Sequence, residues 1–255
     1  MNANEQLAHW AATVSNKHTP LAIERATNAI IDTIGCMLVG IREPVSQKAL
    51  NAVTQWGYGQ ATIIGSPYQL PAPWAALVNG TSAHAIDFDD YNEIPSFSHP
   101  SAVLLPALLA LAEEHNKSGA EVLDAFIVGL EIIMRVGEAV NLSHYNLGWH
   151  ATSTLGVLGV AVGTARILGL NAKGISAALS IATSHAAGYN SQFGTMTKPL
   201  HVGFAAHAGI LATQLAIQDV TASTATLDGK WSFLSLLANR KLQDLKYHLQ
   251  NWGTR

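Results

Sequence analysis

Charge is the scarcest commodity in this sequence. Lys and Arg number 14 and Asp and Glu 17, together 12% of 255 residues, against about 25% in an average soluble protein. So little charge cannot cover a whole surface, which implies that a subunit interface or a second domain covers helices that are apolar nearly all round. Cysteine is almost absent: Cys36 alone excludes a disulfide framework and any cluster held by several thiolates. A net charge of -3 and no Lys/Arg stripe give no case for a nucleic-acid partner. The N-terminus, "MNANEQLAHWAATVSNKHTP", has neither the basic start nor the apolar stretch of a secretory signal. The most apolar runs are interrupted, Leu155–Leu170 by Arg166 and Pro199–Gln218 by His201 and His207, so no membrane span of about 20 residues is expected. The expectation is a soluble, cytoplasmic protein. The closing "KYHLQNWGTR" stops without a capping element, an expectation of a chain that continues.

What is present is apolar and helical. Hydrophobic residues make up 49% of the chain, ample for a core. Thr19-Pro20 places a cap before a proline at the first helical position of "LAIERATNAIIDTIGCMLVG", whose apolar residues recur at helical spacing. Ser118 and Glu121 form a capping box for "GAEVLDAFIVGLEIIMRVGEAV". Asn171 caps "AKGISAALSIATSHAA". Further helices are predicted over Glu43–Gln55, Ala72 to about Ile86, Pro100–His115, Ala151–Leu168, Pro199–Gln218 and Lys241–Gln250. Only Ala61–Gly65 reads as a strand. The predicted fold is all-α, a helical bundle in a single domain over residues 1–255, with Gly- and Ala-rich helices that let backbones approach closely.

Four stretches set polar groups into these apolar surroundings. In "AHAIDFDDYN", His84, Asp87 and Asp90 succeed one another at steps of three, which on a helix sets carboxylates beside an imidazole; Asp89 reads equally well as part of a solvated helix end. His99 immediately precedes Pro100, and His150 precedes the helix from Ala151. Lys198 precedes Pro199 and is the only Asp, Glu, Lys or Arg between Gly174 and Gln218. Helix N-termini carry unpaired N–H groups and a positive dipole end, so a lysine and two histidines at three such ends suit a small polyanion. Ser101, Thr152, Ser153, Thr195 and Thr197 offer hydroxyls to the same site. "GTMTKP" does not match the phosphate-binding G-x-x-x-x-G-K-[ST] pattern, which favours carboxylates over nucleotides. A divalent-metal set of His84, Asp87, Asp90 and His99 matches no known spacing, and a lysine would oppose a cation there, so no metal is expected. His185, His201 and His207 read as buried structural histidines, although His201 lies three residues beyond Lys198.

The runs "NGTSAHAIDFDD", "SHPSAVLLPALLAL", "GWHATSTLG" and "FGTMTKPLHVGFAAHAG" resemble the MmgE/PrpD family, continuously from about Leu21 to Leu237. The family includes 2-methylcitrate dehydratase, cis-aconitate decarboxylase and iminodisuccinate epimerase. The resemblance implies a large helical domain that dimerises, a smaller lid domain not contained in this sequence, and no metal, iron–sulfur cluster or other cofactor. It carries over Asp87, His99, His150 and Lys198 as active-site residues, with Tyr91, Ser101, Thr152, Thr195, Thr197 and His201 as substrate-binding candidates. The implied reaction is a 2-methylcitrate dehydratase-like lyase acting on a small polycarboxylate, with epimerisation, decarboxylation or a catalytically silent binding half as alternatives. One departure stands out: the Asp90–His99 stretch is longer than in the decarboxylase branch, with Tyr91 where that branch has a small hydroxylated residue.

Overall fold

The computed structural model describes residues 1–239. The helix predicted over Lys241–Gln250 lies outside them. Among the described residues the order is α1 (Ala3–Thr13), α2 (Pro20–Gly40), α3 (Pro44–Val53), a 3₁₀ turn (Thr54–Trp56), strands β1 (Ala61–Thr62) and β2 (Gln69–Leu70), then α4 (Ala72–Ala83), α5 (Pro100–Glu114), α6 (Gly119–Val140), α7 (Ser143–Asn146) and α8 (Ala151–Ile167), followed by α9 (Ala172–Thr183), a second 3₁₀ turn (Asn190–Gln192), α10 (Thr197–Ile217) and α11 (Phe233–Leu237). The fold is all-α. The strand predicted from Ala61 is two residues long and pairs antiparallel with β2, Ala61 opposite Leu70.

The capping signals act where the sequence places them. Thr19 accepts from the Ala22 N–H with Pro20 at the first position; Ser118 and Glu121 close their box; Asn171 accepts from the Gly174 N–H. A further helix, α1, went unpredicted although Asn2 and Glu5 form a capping box of the same kind. Two boundaries differ from expectation in ways that shape the site. Helix α4 ends at Ala83, not near Ile86, because the chain turns away after His84 and Asp87 takes a left-handed conformation at φ 55°, which Asp tolerates better than most residues. Helix α10 begins at Thr197, so Pro199 is its third residue and not its first; its missing N–H is still one of the first-turn donors that need no helical partner.

Helices α4, α8 and α10 form the centre of the bundle, with α5, α6 and α9 packed around them. Buried apolar residues from nearly every helix join in one cluster. The α4–α10 contact depends on bare backbone. A Cβ on Gly203 would collide with the Leu77 carbonyl and the Thr81 hydroxyl, and one on Gly80 would come within 3.2 Å of the Gly203 Cα. This close approach brings the end of α4 beside the start of α10. By length and composition α10 is the one described helix able to cross a membrane, contrary to the reading that His201 and His207 break it; 61% of its most apolar window is buried inside the fold. Helix α2, in contrast, leaves Ile31, Leu38 and Val39 about half or more exposed along one face.

Candidate active site

Four chain segments meet where α4 ends and α5, α8 and α10 begin. His84 is the C-cap of α4, and His99 and His150 are the N-caps of α5 and α8. Lys198 stands in the first turn of α10.

The lone lysine has a partner. Lys198 Nζ donates to Asp87 Oδ2 at 2.6 Å, across 111 residues of sequence. The ammonium also lies 5.2 Å from the centre of the Phe193 ring, within cation–π range. Burial pushes the Asp87 carboxyl up, but the Lys198 bond and the charges of His84 and His99 outweigh it and hold the group below its ordinary range. Asp87 is 53% exposed and Lys198 only 17%, so the pair spans the rim and the floor of the site.

Asp89 is the residue the sequence undervalued. It is buried, and His84 Nδ1–H donates to both its oxygens at 2.9 Å. His99 Nδ1 lies 3.2 Å from Asp89 Oδ2, off the line of a good hydrogen bond, and His99 Nε2 lies 3.8 Å from Asp87 Oδ1. Burial raises the Asp89 carboxyl, yet the two imidazoles more than compensate and bring it down to about 2. The same carboxylates act in reverse on His99: burial lowers its proton affinity, and Asp89 and then Asp87 raise it above the ordinary histidine value. His99 therefore holds its proton to higher pH than an ordinary histidine does.

His150 has the opposite surroundings. Burial comes first, followed by the charges of His84, His201, Lys198 and His99, and together they push it down to about 2. Its ring is 6.0 Å from that of His84 and 5.1 Å from that of Phe193. Its Nδ1 is 3.1 Å from Nδ1 of His201.

The remaining candidates divide. Tyr91 is exposed with its ring 5.2 Å from that of His99. Asp90 does not share a face with Asp87; it turns inward and takes the Ser101 hydroxyl at 2.6 Å and the Ser101 N–H at 3.2 Å. Asp90 thus already fills the anion position at the start of α5, and Ser101 is fully buried beneath it. Thr152, also buried, accepts from the His99 N–H at 3.1 Å. Thr195 accepts from the Thr197 N–H, and its carbonyl accepts from the Lys198 N–H. The expectation that three bare helix ends receive the anion is thus corrected at α5 and α10, whose first N–H groups have protein partners. Charged side chains, more than backbone dipoles, define the site.

His84, Asp87, Asp89 and His99 each offer one atom within 4.8 Å of the others, with Asp89 in the place the sequence reading gave to Asp90. The Lys198 ammonium on Asp87 works against a cation at this point, since it already neutralises the carboxylate such an ion needs.

A helical bundle thus gathers a histidine of raised proton affinity, one of lowered affinity, a lysine and two carboxylates at helix ends, an arrangement able to move protons beside an anionic group. The chain matches the MmgE/PrpD N-terminal domain over residues 5–245, and it belongs to that family. It is 36% identical over 221 residues to cis-aconitate decarboxylase of Aspergillus terreus, covering 83% of this chain and 45% of that protein. It is likewise 36% identical to the Homo sapiens cis-aconitate decarboxylase over 228 residues, 87% of this chain and 47% of the relative. The Mus musculus protein of that name is 36% identical over 244 residues, 90% and 48%. The chain spans less than half the length of these curated relatives.

Proposed function

We propose that this chain carries the substrate-binding and proton-transfer face of a lyase acting on a small tricarboxylate, with cis-aconitate decarboxylation the activity its relatives favour. The observation that carries the reading is the pairing of a histidine of raised proton affinity, His99, with one of lowered affinity, His150, on either side of His84 and beside Lys198. Loss of carbon dioxide breaks a carbon–carbon bond and leaves its electron pair on the remaining substrate, next to a carboxylate. A cation must hold that charge and an acid must quench it with a proton. Lys198 supplies the cation, the substrate carboxylate sharing it with Asp87 at the rim. His99 supplies the proton, which Asp89 helps it hold. His150 is the base that returns or relocates a proton, and Asp87 orients or assists.

Dehydration of a methylcitrate-like acid uses the same set, His150 taking the proton beside a carboxylate and His99 protonating the departing hydroxyl. Tyr91 favours this second reading: its ring packs against His99 where the decarboxylase branch has a small hydroxylated residue. Epimerisation needs only the proton-transfer half.

The rim at Asp87 is open, and further protein of the kind the longer relatives possess completes and dries the site, strengthening its electrostatics. The described residues are the helical domain in that arrangement. The exposed apolar face of α2 and the low charge content support a homodimer through the helical part.

The test is a thermal-shift titration with cis-aconitate, 2-methylcitrate, iminodisuccinate and phosphate, repeated with Lys198→Ala, alongside assays for carbon dioxide release and for dehydration. One carboxylate is expected to raise the melting temperature by mass action, and the mutant to lose the effect. Equal shifts with phosphate, or a carboxylate response that survives the substitution, overturn the reading.

A further inference from the structure

Among the described residues, His201 touches the reacting set from α10 without joining it. It sits one turn into α10 beyond Lys198, buried, with its carbonyl accepting from the Ser153 hydroxyl at 3.1 Å. On its other side it lines a cavity of about 520 Å³ together with Gly188, Tyr189, Thr197 and Phe204. Its Nδ1 faces Nδ1 of His150 at 3.1 Å. Two bare nitrogens at that distance repel, and two N–H groups collide, so a single proton lies between the rings and one histidine dictates the tautomer of the other.

Resting on the reading of His150 as a proton-transfer group, we propose that His201 is its positioning residue: His150 donates its Nδ1–H to His201 Nδ1, which leaves His150 Nε2 as the bare nitrogen whose lone pair is offered to substrate.

The direction follows from what surrounds each ring. With Nδ1 turned to His201, the other nitrogen of His150 lies across the ring from that contact. Lys198 and His99 lie close enough to act on His150 electrostatically, and a cation such as the Lys198 ammonium favours a lone pair over an N–H turned toward it. His201 then carries its own proton on Nε2. The close fit of Gly188 backs the pair from behind: its carbonyl accepts the His150 N–H at 3.0 Å, and a Cβ there would come within 3.3 Å of His201 Nδ1. His150 is thus held by main chain at one end and by a second imidazole at the other.

The proposal is tested on the chain labelled with ¹⁵N-histidine, using long-range ¹H–¹⁵N correlation to see which ring nitrogen bears the proton; His150→Gln assigns the signal. At neutral pH, His150 is expected to show a protonated Nδ1 and an unprotonated Nε2. His201→Asn, whose side-chain oxygen can stand in for the acceptor nitrogen, keeps that pattern, and His201→Ala loses it to a mixture of tautomers. His144 serves as the internal control for folding, since its two nitrogens are bonded to the Leu237 carbonyl and the Thr154 hydroxyl. A protonated Nε2 on His150 in the unmodified chain, or an unchanged tautomer in a folded His201→Ala variant, overturns the proposal. Should the Ala variant unfold, the unmodified chain and His201→Asn still decide it. The readout needs no turnover, so a failed carboxylate titration with an intact tautomer pattern sinks the lyase reading alone.

Discussion

His99 and His150 are the same residue in the same local position, each the N-cap of an apolar helix, yet they hold protons in opposite ways. His99 faces the carboxylates of Asp89 and Asp87 and is raised; His150 faces burial, cations and a second imidazole and falls to about 2. Helix position alone therefore says nothing about acid or base character. Neighbours brought in from elsewhere in the chain decide it. Groups whose environments drive their proton affinities apart are the usual way one site runs acid and base chemistry at one pH.

The largest expected effect comes from removing either member of the pair. In a catalytically competent protein, His99→Ala and His150→Ala should each cut turnover roughly 10²- to 10⁴-fold, the usual contribution of a general acid or base. Steady-state kinetics check it, and near-normal turnover in either variant breaks the assignment. A sharper probe is Asp89→Asn, which keeps the shape but removes the charge. It should lower the His99 proton affinity, move the alkaline limb of the pH–rate profile to lower pH, and destabilise the fold by about 1–3 kcal/mol through unsatisfied buried groups. NMR titration of His99 and a denaturant melt read both consequences, and an unmoved His99 would show that Asp87 sustains it alone.

Next in size is Gly203→Ala. A methyl group cannot fit between α10 and α4, so a loss of about 1–3 kcal/mol is expected, together with a lengthened Lys198–Asp87 contact that weakens carboxylate binding. Chemical denaturation and the thermal-shift titration measure the two effects. An unaffected stability would mean that the helices can separate without consequence.

The pH dependence of stability is the mildest test. Below pH 6.5 the unfolded chain protonates His150 while the folded one refuses the proton, so the unfolded state binds more protons and stability falls with acid. The slope is at most about 1.4 kcal/mol per pH unit for one such histidine. His144, lowered by burial to about 4, adds to the fall between pH 6.5 and 4. Asp89, lowered to about 2, removes its own contribution between pH 4 and 2. His99 acts in the other sense: its raised affinity stabilises fully below pH 6.5 and is lost as pH rises through the folded value. Melts from pH 8 to 4 should show a net decline toward acid, which His150→Gln should flatten.

Much of the frame was legible. Thr19-Pro20, Ser118 with Glu121, and Asn171 announce helices because each satisfies an end donor locally, within three residues. Asn2 with Glu5 carried the same signal for α1 and was passed over. The isolation of Lys198 in an apolar run marked the site, and Asp87, His99 and His150 do meet around it. Illegible were Asp89, which reads as a solvated helix end until its burial is seen, and Asp90, which turns to Ser101 instead of the site. Their roles exchange because α4 stops at Ala83 and the left-handed turn at Asp87 rotates the following residues. No helical periodicity encodes that turn.

By itself the sequence determined the helices, their caps, the small residues at the centre of the bundle and which chemically capable side chains stand at helix ends, since all of these follow from interactions spanning a few residues. Only the tertiary structure decided that Lys198 meets Asp87, that Asp89 serves His84 and His99, and that His150 faces His201. Those pairings join residues as much as 111 positions apart, and they depend on how closely α4 and α10 can pack. Burial and the charges assembled there then set which groups hold a proton.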